Sequence, residues 1–158
     1  MIKIRKAKIS DSRGIVNLMR KPDIYNYVGR GYTYKNVKFW LKEWSNDCIV
    51  VESNERVVGL LWFYTSEFGE PYLKHIRIFD LAVDPEYRNR GIGTMLVKRM
   101  LKDCKRSGVK KIMSYVETNN KPSQRIHEYL KFKKEGKVSG LFIRKGKLVD
   151  GYIYGKVL

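Results

Sequence analysis

The sequence predicts a mixed α/β fold, a single domain over residues 1–158 with the element order β-α-α-β-β-β-α-β-α-β-β. Three observations support this class. The length of 158 residues is typical of one domain. Hydrophobic residues make up 43% of the chain, which is enough for a core and too many for a disordered polycation. Stretches of strand periodicity alternate with stretches of helical periodicity, and no linker or repeat interrupts them.

The first half of the chain is expected to contain one strand, two helices and a hairpin. Alternating apolar and basic residues predict the strand, and Ser10-Asp11 is a typical helix N-cap signal. The second helix is expected to bury Val37, Trp40, Leu41 and Trp44. The predicted elements are a strand over Ile2–Ile9, a helix that ends before Pro22, a helix capped by Thr33, and hairpin strands over Cys48–Glu52 and Arg56–Thr65.

The second half is expected to contain two further strands, two helices and a final hairpin. In the longer helix, Ile92, Leu96, Met100 and Cys104 recur at i+4 steps, and Gly108 is a good C-terminal cap. The predicted elements are strands over Leu73–Val83 and Lys111–Glu117, helices over Gly91–Ser107 and Pro122–Leu130, and hairpin strands over Val138–Ile143 and Lys147–Val157.

The net charge is the most conspicuous property of the composition. The 33 Lys and Arg residues against 16 Asp and Glu give +17, which favours an anionic partner. Nucleic acid, an anionic membrane surface and a polyphosphate cofactor all have the required charge. Solvated lysines on an ordinary protein surface explain the same number equally well.

Composition also excludes several classes of protein. No stretch approaches the roughly 20 apolar residues of a spanning helix, and the N-terminus lacks the apolar region of a signal peptide. Cys48 and Cys104 have apolar neighbours and are too few for a disulfide framework. We therefore expect a cytoplasmic protein with reduced cysteines and no membrane partner.

The most informative segment joins the long strand to the long helix. It reads Val83-Asp84-Pro85-Glu86-Tyr87-Arg88-Asn89-Arg90-Gly91-Ile92-Gly93. Glycines at a helix start let an anion approach first-turn amides, which lack partners and lie at the positive end of the helix dipole. Because Arg88 and Arg90 lie beside these amides, the segment predicts a binding site for a diphosphate. No Gly-Lys-Ser/Thr of a nucleotide P-loop is present, and Leu96 stands at the third glycine position of a dinucleotide fingerprint.

This segment resembles the acyl-CoA signature of the GCN5-related N-acetyltransferase (GNAT) superfamily. The signature ends in Arg/Gln-x-x-Gly-x-Gly/Ala, matched here by Arg88, Gly91 and Gly93. The predicted element order is similar to that of the family over nearly the whole chain. The resemblance implies the acyl-CoA N-acyltransferase fold, with a central sheet that splays between the long strand and Lys111–Glu117.

A second segment, Asn120 to Phe132, resembles the family motif Asn-x-x-Ala-x-x-Leu-Tyr-x-x-x-Gly-Phe. Asn120 and Phe132 fit this motif, and Ile126 takes the place of Leu. Ser123 replaces Ala, His127 replaces Tyr, and Lys131 replaces Gly. The two motifs lie at the separation that the family shows.

The resemblance implies acetyl-CoA as the co-substrate. The CoA diphosphate would lie on the backbone from Arg88 to Thr94, and the pantetheine arm would pair with the end of the long strand. Asn120 and Ser123 would hold the cofactor from the other side. The implied cofactor-binding residues are Leu81, Ala82, Val83, Arg88, Asn89, Arg90, Gly91, Ile92, Gly93, Thr94, Asn120 and Ser123.

The implied reaction is direct acetyl transfer to an amine, which must lose a proton before it attacks. His127 stands where family members often carry the tyrosine that serves the leaving thiolate, and a neutral imidazole can donate an N–H. Asp80 is the first candidate for the base and Glu117 the second; Tyr115 is an unranked candidate for the cleft. A structural histidine and a solvated or salt-bridged carboxylate are the alternatives for His127 and Asp80. No spacing of Cys or His suggests a metal, so we expect none.

The acceptor is expected between the loop over Tyr25–Tyr34 and the hairpin over Gly140–Lys147. A primary amine of a small molecule or of a protein or peptide fits the family, while the charge disfavours a polycation. Glu67, Glu70 and Asp80 would form an acidic entrance, called the acidic mouth, to the acceptor site.

Two alternative functions stay open: a basic nucleic-acid-binding domain, which we rank lower, and a CoA-binding protein without transferase activity. The oligomeric state also stays open, and a homodimer is one option.

Overall fold

A computed structural model describes residues 1–24, 31–65 and 75–158. The element order in these residues agrees with the sequence prediction. The helices are α1 (Ser12–Met19), α2 (Tyr34–Trp44), α3 (Ile92–Arg106) and α4 (Lys121–Tyr129). The strands are β1 (Ile2–Lys6), β2 (Cys48–Ser53), β3 (Arg56–Thr65), β4 (Ile76–Val83), β5 (Lys111–Glu117), β6 (Lys133–Arg144) and β7 (Lys147–Val157).

The strands form a seven-stranded sheet in the order β1-β2-β3-β4-β5-β7-β6. Strands β4 and β5 run parallel, whereas β1–β2, β2–β3, β5–β7 and β7–β6 are antiparallel pairs, so the sheet is mixed. The β4–β5 register joins Ile76–Ile78 to Lys111–Met113 and extends no further along either strand. The predicted mixed α/β class is confirmed.

The chain divides into two compact units. The first unit comprises Met1–Phe63 and Asp80–Met100, and the second comprises Tyr64–Phe79 and Leu101–Leu158. The single N-acetyltransferase domain over residues 1–158 stays a prediction. None of the helices in the described ranges is long and apolar enough to cross a membrane.

In the first unit, helix α3 packs closely on strand β3. A Cβ atom at Gly59 would lie 3.0 Å from Ile92 Cγ2 and 3.2 Å from Leu96 Cδ1, so any larger residue here would require these side chains to shift. Ile92, Leu96 and Met100 are fully buried, as the i+4 pattern predicts. The start of α3 is thereby held against the sheet.

In the second unit, β7 lies between β5 and β6, and its Tyr154 is fully buried. Gly155 leaves room for the Glu135 carboxylate, which accepts a 2.7 Å hydrogen bond from Lys111 Nζ. Gly108 has φ +75° directly after α3, which confirms the predicted C-terminal cap. Helix α4, which carries most of the second motif, belongs to this unit.

Three local predictions differ from the structure. Strand β1 ends at Lys6 because Ile9–Asp11 forms a 3₁₀ turn, held by a 2.7 Å hydrogen bond from Lys8 N to the Asp11 carboxylate. Trp44, the last residue of α2, is 50% exposed because its ring lies edge-on against the exposed Phe39 ring at the surface, with centroids 5.8 Å apart. Strand β6 begins at Lys133 rather than Val138, since pairing with β7 extends it.

Candidate active site

Strand β4 leads into a tight turn that Asp84 organises. The Asp84 amide donates to Val58 O at 2.9 Å, and its carboxylate caps the 3₁₀ turn Pro85–Tyr87 by accepting from Glu86 N at 3.2 Å. Asp84 is 1% exposed. A buried carboxylate therefore fixes the point at which the chain leaves the strand.

The next residues adopt the backbone conformation that begins α3. Asn89 has φ +60° and Gly91 has φ +76°, in the left-handed region. The first hydrogen bond of the helix runs from Met95 N to Gly91 O at 3.0 Å, so the amides of Ile92, Gly93 and Thr94 have no acceptor within the helix. A Cβ at Gly91 would meet no atom within 4 Å, so this side of the turn is open. The helix start fits an anion.

Two exposed arginines flank this turn. Arg88 Nε donates to Val83 O at 3.4 Å, and Arg88 Nη1 lies 3.7 Å from Asp23 Oδ2. The Arg90 guanidinium lies over the Tyr87 ring, 5.0 Å from its centroid. Both cations are exposed beside the helix start, where they complement a diphosphate.

The end of β4 carries the other predicted residues of the first unit. Asp80 is exposed, Ala82 is buried, and Leu81 and Val83 are half-buried. A carboxylate that reaches solvent is able to exchange a proton with an acceptor. The structure thus brings Leu81–Val83 and Arg88–Thr94 together on one strand–turn–helix segment.

The second unit holds Asn120 and Ser123 at the start of α4. The Asn120 side chain caps this helix by accepting from Ser123 N at 3.2 Å. Lys121 N donates to Asn119 O at 3.0 Å, and Pro122 has no amide hydrogen. Every backbone amide in the first turn of α4 therefore has an acceptor within the protein or, at Pro122, no hydrogen to donate.

His127 lies in the interior of the second unit, 1% exposed. Its ring stacks on Phe79, with centroids 5.6 Å apart, and contacts Phe132 and Tyr154 at 5.0 and 4.8 Å. Nδ1 lies 2.7 Å from Ser123 O, and because a carbonyl only accepts, Nδ1 carries the hydrogen. Nε2 is buried without a hydrogen-bond partner in the described part of the chain.

The surroundings keep the His127 ring neutral. Burial lowers its pKa and outweighs the Ser123 carbonyl and the Glu128 carboxylate, which raise it. In the neutral ring, Nδ1–H is already used and Nε2 is an acceptor. The predicted N–H donation to a thiolate is not supported by this geometry.

Glu117, the second candidate for the base, ends β5 and is 3% exposed. Its carboxylate forms an ion pair with Arg144 Nη2. Arg144 lies 27 positions further along the chain, and no sequence signal singled it out. The sequence also missed Lys21, which contacts Asp84.

Part of the predicted acceptor region lies outside the described residues. This applies to Tyr25 and Tyr27 of the aromatic loop and to Glu67 and Glu70 of the acidic mouth. Tyr115 is 37% exposed on β5. In residues 1–24, 31–65 and 75–158, no group of three or more His, Cys, Asp or Glu residues is arranged to hold a metal ion.

Comparison with known proteins supports one family. The L-amino acid N-acetyltransferase AaaT of Escherichia coli (strain K12) is 28% identical over 88 residues, 55% of this chain and 54% of AaaT. The chain thus spans about half the length of that relative. The structure of yncA from Salmonella typhimurium, solved with its cofactor acetyl-CoA, matches with a TM-score of 0.88 at 20% identity, covering 100% of this chain and 94% of yncA.

An N-acetyltransferase from Staphylococcus aureus Mu50 matches with a TM-score of 0.87 at 21% identity, covering 99% of this chain and 98% of that chain. Because the sequence identities to these two structures are about 20%, the matches show the fold and nothing more. The family model described as Acetyltransferase (GNAT) family matches residues 14–132, which include both sequence motifs. This chain belongs to the acetyltransferase (GNAT) family.

Proposed function

We propose that this protein is an N-acetyltransferase that transfers the acetyl group of acetyl-CoA directly to a primary amine. The observation that carries the proposal is the start of α3. There, three amides without intrahelical acceptors and two exposed arginines lie on an open turn. This arrangement fits the diphosphate of coenzyme A in charge and in hydrogen-bonding capacity.

Different residues are proposed to bind different groups of the cofactor. The backbone of Arg88–Thr94 would donate to the diphosphate, and the side chains of Arg88 and Arg90 would neutralise it. The backbone of Leu81–Val83 would hydrogen-bond the amides of the pantetheine arm. Contacts from Asn120 and Ser123 stay predictions, and they would involve side chains because the first turn of α4 offers no free amide.

The bound cofactor supplies a thioester, whose C–S bond breaks as the C–N bond to the amine forms. The amine loses one proton, and the thiolate gains one. We assign the first proton to Asp80, since it is the exposed carboxylate on β4. A thiol of pKa about 8.5 leaves readily as a thiolate, so the leaving group does not require His127.

The acceptor is proposed to be a primary amine of a small molecule or of a protein or peptide. The relative AaaT is named for L-amino acids, which makes an α-amino acid a reasonable first substrate to test. The net charge of +17 disfavours a polyamine. Both cysteines are buried and free, and burial raises the pKa of the Cys48 thiol, so neither is proposed to take part in the transfer. The cytoplasmic location stays a prediction.

The test combines acetyl-CoA binding with turnover. Calorimetry measures the affinity for acetyl-CoA, and thiol release is followed with amino acids, a peptide N-terminus, a lysine peptide and a polyamine as acceptors. Binding together with thiol release that depends on one amine class confirms the proposal. Binding without release from any amine indicates a CoA-binding protein without transferase activity.

Absence of acetyl-CoA binding overturns the proposed function. In that case, affinity for single-stranded nucleic acid at increasing salt tests the remaining interpretation of the charge. A steep log–log dependence, with binding retained near physiological salt, would indicate a nucleic-acid-binding domain.

A further inference from the structure

The turn before α3 contacts a lysine that lies far from it in the sequence. Lys21, just after α1, places Nζ 2.7 Å from both carboxylate oxygens of Asp84. The Asp84 side chain is 2% exposed and that of Lys21 is 27% exposed. The two residues lie 63 positions apart in the sequence. A buried carboxylate with both oxygens on one ammonium group is an ion pair of good geometry.

Asp84 links this ion pair to the backbone of the candidate cofactor site. Its Oδ1 accepts from Glu86 N at 3.2 Å, and its carbonyl accepts from Tyr87 N at 2.8 Å. Its amide is tied to Val58 O at 2.9 Å. The carboxylate bound by Lys21 thus also accepts from the backbone of the turn that leads into Arg88–Gly91.

A second ionic contact connects the same two segments. Two residues after Lys21, the carboxylate of Asp23 lies 3.7 Å from Arg88 Nη1. This pair is exposed and contributes little on its own. Together, the two ion pairs connect the segment after α1 to the turn at two points. Lys21 contacts Asp84 at the start of the turn, and Asp23 lies near Arg88 further along it.

We propose that Lys21 is a positioning residue for acetyl-CoA binding, acting through Asp84. It holds the carboxylate that shapes the turn, and it neutralises a buried negative charge in the loop that receives the diphosphate. Without Lys21, an uncompensated carboxylate remains beside an anion site, and Coulomb repulsion then opposes the cofactor. This inference rests on the proposed function, because it assigns a role in binding the cofactor of that function.

The experiment compares four proteins: wild type, Lys21→Met, Lys21→Arg, and the double variant Lys21→Met/Asp84→Asn. Asparagine keeps the oxygen that accepts from Glu86 N but removes the charge. For Lys21→Met we expect the Kd of acetyl-CoA to rise at least tenfold, with kcat at saturating acetyl-CoA within threefold of wild type. Lys21→Arg, which preserves the ion pair, and the double variant, which removes both charges, should bind within threefold of wild type.

The matched control is Arg5→Met, which breaks another partly buried ion pair of the first unit. Arg5 Nη1 donates to Asp11 Oδ2 at 2.7 Å, and among the described residues the hydrogen bonds of Arg5 go to Lys6, Asp11 and Glu52, away from the turn before α3. This variant should lower Tm without changing the Kd of acetyl-CoA. A purely structural role for Lys21 would give the same result for Lys21→Met and overturn the inference.

The remaining outcomes distinguish failure of the inference about Lys21 from failure of the proposed function. If Lys21→Met does not fold, the double variant carries the test, and acetyl-CoA affinity more than tenfold below wild type in a folded double variant overturns the inference. If wild type itself does not bind acetyl-CoA, the proposed function fails. If wild type binds and Lys21→Met binds equally well, only the role of Lys21 fails.

Discussion

Helices α3 and α4 both begin in a sequence motif, and their N-termini differ in what they leave available. At α3, a left-handed glycine and an open turn leave three first-turn amides without an acceptor in the helix. At α4, the Asn120 side chain, the Asn119 carbonyl and a proline account for every position of the first turn. The first helix start is able to bind a ligand through its backbone, whereas the second is closed by its own residues.

The polar side chains near the two helix starts differ in whether they are available to a ligand. Arg88 and Arg90 beside α3 are exposed, whereas His127 on α4 is 1% exposed and packed among aromatic rings. Binding an anion requires groups that have not already been satisfied by the fold. The comparison therefore favours the α3 turn as the proposed diphosphate site, and it shows the His127 ring packed among aromatic side chains.

The largest effect is expected from Gly91→Glu. The substitution places a carboxylate on the open side of the turn that is proposed to bind the diphosphate, so the affinity for acetyl-CoA should fall by at least about 100-fold in calorimetry. Gly108→Glu is the matched control, because Gly108 also has positive φ and open space, at the other end of the same helix. Equal loss of affinity in both variants would assign the effect to backbone strain.

The next largest effect is expected from Asp80→Asn. Removal of the proposed base should lower kcat/KM for the amine by about 10- to 100-fold, because an unaided amine must lose its proton to water. The loss should shrink at higher pH, where more of the amine is already neutral. The Kd of acetyl-CoA should stay within about twofold of wild type. A wild-type rate at neutral pH would contradict the assignment of Asp80.

A smaller effect is expected from the double variant Arg88→Gln/Arg90→Gln. Loss of two charge-assisted contacts should weaken acetyl-CoA binding by about tenfold, and the affinity should depend less on salt. Lys102→Gln/Lys105→Gln removes the same charge from the exposed part of α3 away from the turn. If that control loses as much affinity, the overall field of the protein would account for the effect.

The smallest kinetic effect is expected from His127→Phe. Phenylalanine fills the same aromatic surroundings, so kcat and the Kd of acetyl-CoA should both stay within about threefold of wild type. A large drop in kcat with unchanged affinity would instead return His127 to the mechanism, as the sequence motif suggested.

The same variant tests the protonation state of the ring. Burial lowers the pKa of His127 in the folded state, so the unfolded chain takes up a proton first as the pH falls below about 6.5. Wild type should therefore lose Tm between about pH 7 and pH 5 by more than His127→Phe does. Parallel pH curves for the two proteins would contradict a neutral buried ring.

Features that depend on near neighbours along the chain were predictable from the sequence alone. The i+4 spacing in α3, the C-terminal cap at Gly108 and the N-terminal cap at Thr33 are all local, and the structure confirms them. Hydrogen bonding within four residues and the steric freedom of glycine are enough to produce them. The candidate diphosphate turn was predictable for the same reason.

Features that join residues distant in sequence became visible only in the folded structure. Lys21 meets Asp84, Arg144 meets Glu117, and the His127 ring packs between Phe79 and Tyr154. Each partner is an ordinary residue in its own segment, with no periodicity or spacing that marks it. The burial of a carboxylate or an imidazole, and thus its charge and its role, depends on which segments the fold brings against it.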